Sequence, residues 1–183
     1  MMEKALLSSE RMDWNTPREF LDLVRVFSCI GLDPCSNPNS IVGAATEWSL
    51  ERGQDGLSAS WTGHGLVYCN PPYGRQVKEW SLKIAEEGRK GAEIIVLVPS
   101  RTDTNWMQSL LRASDCCLFW KGRIRFLGAS ASAPFPSVVF YFGSNADRFA
   151  KIFNPYGLIV SSLNVSKQQQ KQQAYYPAEH TGT

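Results

Sequence analysis

The chain has 183 residues, 43% of them hydrophobic and 20% charged, enough to bury the core of one domain and outside the composition of disordered or membrane-embedded chains. No apolar run approaches the ~20 residues of a bilayer span, and the N-terminal MMEKALLSSERM carries only Ala5, Leu6 and Leu7 as an apolar patch, too short for a secretory signal, so a cytoplasmic protein is expected. The net charge of +2 conceals an acidic front, with five Lys/Arg against nine Asp/Glu over residues 1–74, and a basic middle, with ten against six over 75–125; the first suits a cationic ligand and the second a polyanion such as nucleic acid.

In chain order, the first predicted element is a helix over residues 17–27. Thr16 is placed to cap it, Pro17 fits its first position and Glu19 completes a capping-box pattern, with Phe20, Leu23, Val24 and Phe27 on one face. Residues 29–33 read as a short buried strand ending at Asp33 and Pro34. The next thirty or so residues are rich in Gly, Ser, Asn and Pro, with weak strand signals at 41–46 and a loop around 53–59. From residue 66 strands and helices alternate: strand 66–69, helix 75–87 with Val77, Trp80, Ile84 and Ala85 at helical spacing, and strand 93–98, apolar throughout. Helix 103–112, strands 115–120 and 138–142, and helix 145–153 follow. The alternation predicts an α/β domain with a mostly parallel sheet. After Ser166 the run KQQQKQQ is polar and low in complexity, which divides the chain into a domain over 1–164 and a disordered Gln/Lys-rich tail over 165–183. Five cysteines without a CxxC pair, and only two histidines, show neither a disulfide framework nor zinc spacing, so reduced thiols and no metal are expected.

In open sheets of this kind ligands bind outside the carboxyl ends of the strands. Three such ends carry unusual residues: Asp33-Pro34-Cys35, Asn70-Pro71-Pro72-Tyr73 and Pro99-Ser100-Arg101. The second is the most telling. The exocyclic amine of a nucleobase is a poor nucleophile because its lone pair is delocalised into the ring, and it needs acceptors for its two N–H bonds. The Asn70 side-chain oxygen and the Pro71 carbonyl supply such acceptors, with proline fixing the backbone dihedral that aims the carbonyl. Tyr73 offers a flat face for an unstacked base, worth roughly 1–3 kcal/mol in known stacking sites. As separate dipeptides, Asn-Pro and Pro-Pro would be turn signals; the whole tetrapeptide after an apolar strand favours the clamp.

NPPY after a strand resembles the catalytic motif of amino-group methyltransferases. The ordered set DWNTP at 13–17, LDPC at 32–35, DGL at 55–57 followed by Trp61, VYCNPPYG at 67–74, LVPSRTDTNW at 97–106, KGRIRF at 121–126 and PFPS at 134–137 resembles the phage-type DNA N6-adenine methyltransferases, the phage Dam family. The resemblance covers about residues 12–143. It implies a Rossmann-like domain, S-adenosylmethionine as cofactor, DNA as partner, and a phage or prophage origin with a role in protection from restriction or in regulation. It also implies that Asn70, Pro71, Pro72 and Tyr73 are catalytic. Trp14, Thr16 and Pro17 would lie along the cofactor's methionine end, Asp33, Pro34 and Cys35 would form the loop after the first strand, and Asp55 would meet the cofactor's adenine amino group. A turn explains Asp33 and Asp55 as an alternative. Many methyltransferases carry a GxG loop after the first strand; here DPCSNPNS stands in its place, and Glu47 is a weak candidate for the acid that holds the ribose.

On the nucleic-acid side, Lys121, Arg123 and Arg125 alternate with Gly122, Ile124 and Phe126, which puts three cations on one face of an extended segment, suited to phosphates or to a solvated edge. Arg75 and Arg101 are expected beside the same cleft. Phe135 in GASASAPFPS packs against a flipped base or anchors the next strand, and a base inside a duplex must swing out to reach Asn70. The competing assignments are the same fold acting on cytosine N4, an RNA base or a protein glutamine, and a non-catalytic DNA-binding protein on a methyltransferase fold.

Overall fold

The computed structural model describes residues 14–161; the predicted tail at 165–183 and the domain limit at 164 lie outside the described residues. Seven strands form one sheet: β1 (Ile30–Asp33), β2 (Thr46–Glu47), β3 (Leu66–Cys69), β4 (Glu93–Pro99), β5 (Cys116–Trp120), β6 (Ser137–Phe142) and β7 (Gly157–Ser161). Their spatial order is β2-β1-β3-β4-β6-β5-β7. The expected parallel sheet holds from β2 to β4 and stops there. β6 enters antiparallel between β4 and β5, and β7 closes the other edge antiparallel to β5, so the sheet is mixed. No helix separates β5 from β6, and without a crossover helix the return strand runs the other way.

Among the described residues four α-helices cover the sheet: α1 (Arg18–Phe27), α2 (Val77–Arg89), α3 (Asn105–Ala113) and α4 (Ala146–Phe153). Neighbouring residues of β6 show which face each covers, because adjacent side chains of a strand point to opposite sides. Tyr141 meets Phe27 of α1 and Phe149 of α4; Phe142 meets α2 at Gly88, where an added Cβ would lie 2.5 Å from its ring. Ile94–Val98 of β4 is buried between the layers, as a run apolar on both faces must be. Each such side chain contributes about 1.5–3 kcal/mol on removal from water.

The start of α1 departs from the capping-box expectation. The helix begins at Arg18, Pro17 occupies the N-cap position with no side-chain cap, and the Pro17 carbonyl accepts from Leu21 N at 3.1 Å. Thr16 does not cap: its hydroxyl is paired 52 residues away with Tyr68 at 2.7 Å. A buried tertiary bond has overridden a local pattern. Leu21, rather than Leu23, completes the buried face with Phe20, Val24 and Phe27.

Candidate active site

The carboxyl ends of β1 and β3 are adjacent because the two strands pair in parallel, which brings Asp33 and Asn70 to one side of the sheet. Two abutting clefts open there and share Cys35, Ser36, Asn37 and Pro72. The first is walled by Trp48, Leu50, Leu57 and Trp80, with Pro34, Asp55 and Glu51 on its margin. The second is more polar and is bordered by Trp14, Thr16, Asp33, Ser40, Tyr68, Asn70 and Pro71.

Asn70 is the most constrained side chain of the group. Its Nδ2 donates to the Trp14 carbonyl at 2.5 Å and to Thr16 Oγ1 at 3.1 Å. A carbonyl can only accept, so the amide nitrogen must face Trp14 and the oxygen must point the other way. That oxygen accepts from the Tyr73 hydroxyl at 2.7 Å, which also lies 3.4 Å from the Leu97 carbonyl. Tyr73 is therefore not an open platform. Its ring is buried edge-on against Phe126 and Phe135, and Trp14 meets the same two rings at centroid distances of 5.2 Å. Burial raises the phenols of Tyr68 and Tyr73 well above the ordinary range, so both remain protonated.

Asp33 is buried and its carboxyl is pushed up to about 7, chiefly by loss of solvent, with Glu47 adding to the rise. The backbone N–H of Cys35 at 3.1 Å and the Ser40 hydroxyl at 3.5 Å oppose that shift. Cys35 Sγ stands 3.7 Å from Cys69 Sγ, and both are free thiols; the contact with Cys69 and burial hold the Cys35 thiol protonated. Ser36 Oγ, at the junction of the clefts, is buried without a hydrogen-bond partner. Such groups are rare in folded proteins.

The DGL segment is held by geometry that only glycine permits. An added Cβ at Gly56 would lie 2.0 Å from the Pro34 carbonyl oxygen, so the loop rests directly on the turn after β1. Asp55 Oδ1 accepts from Leu57 N at 2.9 Å, the turn role foreseen for it, while the residue also borders the first cleft. Trp61 clips the loop down through Nε1 to the Gly56 carbonyl at 2.8 Å. Glu47 ends β2 and pairs with Arg52 at 3.5 Å; its neighbour Trp48, not Glu47, borders the cleft.

Pro17 borders neither cleft, and neither do Arg75, Arg101, Lys121, Arg123, Arg125 and Phe135. The five cations are exposed. The alternation of KGRIRF is realised without a strand, with Ile124 and Phe126 buried and Lys121, Arg123 and Arg125 outside. Phe135 anchors the aromatic cluster over Tyr73 rather than standing open. The sequence reading gave no site role to Tyr68, Ser36, Trp48, Trp80 or Phe126; in a strand, a loop or the apolar face of α2 each residue type signals only packing. Among the described residues no group of three His, Cys, Asp or Glu is placed to hold a metal ion, and no helix is long and apolar enough to cross a membrane.

A family model described as DNA N-6-adenine-methyltransferase (Dam) matches residues 3–174 of the chain. Comparison with curated proteins gives no match. Among solved structures, protein LPL1258 from Legionella pneumophila is similar at a TM-score of 0.39 and 14% identity, over 64% of this chain and 51% of that one. The chain thus spans about half the length of that structure.

Proposed function

The chain belongs to the DNA N-6-adenine-methyltransferase family, and on that premise we propose that it transfers a methyl group from S-adenosylmethionine to N6 of adenine in DNA, on a Rossmann-like domain. The observation that carries this reading is the Asn70 carboxamide: both its N–H bonds are committed to Trp14 and Thr16, which leaves Oδ1 to act only as an acceptor. Pro71 lines the same cleft, and its carbonyl is the second acceptor for the substrate amine.

The residues present fit the cofactor. Ser36 Oγ, buried without a partner between the two clefts, suits a ligand atom. The Asp33 carboxyl, pushed up to about 7 by burial, ionises more readily when a cation lies beside it. The apolar walls formed by Trp48, Leu57 and Trp80 suit a planar base, and Asp55 stands at their margin to accept from its amino group. Trp14, Asp33, Pro34, Cys35 and Asn70 would thus hold the cofactor, with the Thr16 hydroxyl turned to Asn70 and Tyr68. When bound, S-adenosylmethionine supplies a methyl group activated on a sulfonium sulfur.

The chain's own part is positioning, which supplies much of the acceleration in transfers between held partners. Asn70 Oδ1 and the Pro71 carbonyl draw the amine hydrogens into line, localising its lone pair. In the closed arrangement the Tyr73 hydroxyl occupies Oδ1. An entering adenine replaces that hydroxyl, and Tyr73 turns from the Phe126–Phe135 cluster to stack on the base. Pro71 and Pro72 keep the backbone from following. The exposed Arg75, Arg101, Lys121, Arg123 and Arg125 contact phosphates, fixing register without reading sequence. A cytoplasmic setting, that of a bacterial host for a phage-encoded chain, follows from such a substrate.

The reading is tested by incubating the protein with methyl-labelled S-adenosylmethionine and equal amounts of unmethylated DNA, RNA and a protein lysate. Label in DNA is expected. Label confined to RNA or to protein glutamine overturns the substrate assignment, and no label in any fraction overturns the enzyme assignment.

A further inference from the structure

We propose that Thr16 is a positioning residue for Asn70, backed by the Tyr68 hydroxyl, and sets the angle at which the Asn70 oxygen meets the substrate amine. The inference rests on the methyl-transfer reading and deepens it. The three groups form one line: Asn70 Nδ2 to Thr16 Oγ1 at 3.1 Å, and Thr16 Oγ1 to the Tyr68 hydroxyl at 2.7 Å. Thr16 and Tyr68 are both buried.

Tyr68 has a single hydroxyl proton, and Thr16 is its hydrogen-bond partner among the described residues. Either direction of the Thr16–Tyr68 bond leaves one hydroxyl proton over, so the bond has no fixed donor. In both directions Thr16 Oγ1 keeps a lone pair for the Asn70 amide while it stays tied to the Tyr68 hydroxyl. The Trp14 carbonyl holds one amide hydrogen of Asn70 and Thr16 holds the other. One acceptor decides which way the amide faces; two fix its plane.

This assignment also accounts for the missing helix cap. A threonine one residue before Pro17 would serve α1 at little cost, yet the helix start makes no side-chain cap bond. The hydroxyl is given to the site instead. Tyr68, on β3 two residues before Asn70, ties the amide's support to the strand that presents Asn70 itself, so strand and support move together.

The test uses the full chain and three variants: Thr16→Val, which keeps shape and removes the hydroxyl, Thr16→Ser, which restores it, and Tyr68→Phe. Thr16→Val is expected to lower kcat about 10–100-fold, the scale of a misplaced reacting geometry, with KM for DNA and Kd for S-adenosylmethionine within about twofold. Thr16→Ser should recover most of the rate, and Tyr68→Phe added to Thr16→Val should cost little more, since both act through one line. A second measurement reads the amide directly: the side-chain 15N–1H signals of Asn70 should shift and exchange faster with solvent in Thr16→Val and return in Thr16→Ser. Weaker cofactor binding at unchanged kcat would make Thr16 a cofactor contact and overturn the proposal, as would unchanged Asn70 signals in a folded Thr16→Val protein. A wild-type protein that methylates nothing, while its Asn70 signals respond as expected, would instead sink the methyl-transfer reading and leave the positioning of Asn70 by Thr16 standing.

Discussion

At the scale of single residues, the site depends on groups held in unusual states by burial. Asp33 is the clearest. Its carboxyl is raised from 3.8 to about 7, first by loss of solvent, so between those values the folded chain keeps a proton that the unfolded chain has released. The contribution of Asp33 to stability is therefore fully present below about pH 4 and is lost as pH rises towards 7. Binding of a sulfonium cation has the opposite preference, since it favours the ionised form. Affinity for S-adenosylmethionine is expected to tighten between pH 6 and 8 in calorimetric titrations, and Asp33→Asn to flatten that dependence; an unchanged slope in the variant would assign it elsewhere. Tyr73 makes a second prediction. If its ring does the stacking and its hydroxyl only covers Asn70 Oδ1 in the closed arrangement, Tyr73→Phe should retain turnover within about threefold, while Tyr73→Ala loses roughly the 1–3 kcal/mol of a stacking contact. Equal losses in steady-state assays would count against this division of roles.

At the scale of elements, the parts of the site are held together by contacts remote in sequence. Glu87 of α2 is fully buried and receives Lys83 at 2.9 Å, Lys90 at 3.1 Å and the backbone N–H of Trp61 at 2.8 Å. Burial alone would raise its carboxyl, and these donors outweigh it and leave it lowered. The cluster staples the DGL loop, and through Trp61 the first cleft, to α2. Glu87→Ala would leave the Lys83 ammonium buried and the Trp61 N–H unpaired, a loss of about 3–5 kcal/mol. That is a fall of roughly 10 °C in Tm at about 2–4 °C per kcal/mol; a melt within two or three degrees of wild type would show that the staple carries little. The same scale explains what was legible. β3, β4 and α2 stood out because runs such as EIIVLV and the spacing of Val77, Trp80 and Ile84 report burial directly. β7 did not, since Leu158 and Val160 are exposed on an edge strand. β2 is two residues long, too short for a period. The capping box at Thr16 was misread because a local pattern carries no record of Tyr68.

At the scale of the whole molecule, charge and topology divide the labour. The parallel half of the sheet brings Asp33 and Asn70 together, whereas the exposed Arg75, Arg101, Lys121, Arg123 and Arg125 border neither cleft. DNA affinity should then fall with salt at a log–log slope of about −0.9 per phosphate contact, and each change of one of the four arginines or Lys121 to Ala that removes a contact should lower its magnitude by about that amount. A change that weakens binding without altering the slope would place that side chain away from the phosphates. The motifs were legible as an ordered set, and of their residues Asp33, Asn70, Pro71 and Pro72 border the clefts. The closed aromatic cluster and the orphan Ser36 hydroxyl were not, because each depends on the packing of segments distant in sequence. The most direct test is nucleoside mass spectrometry of unmethylated DNA treated with S-adenosylmethionine and either the wild-type chain or Asn70→Ala. The expected result is N6-methyladenine with the wild type and a loss of about 10²-fold or more, the scale of removing one positioned hydrogen-bonding group, in the variant. N6-methyladenine formed equally well without Asn70, or methylation of cytosine in its place, would contradict the account.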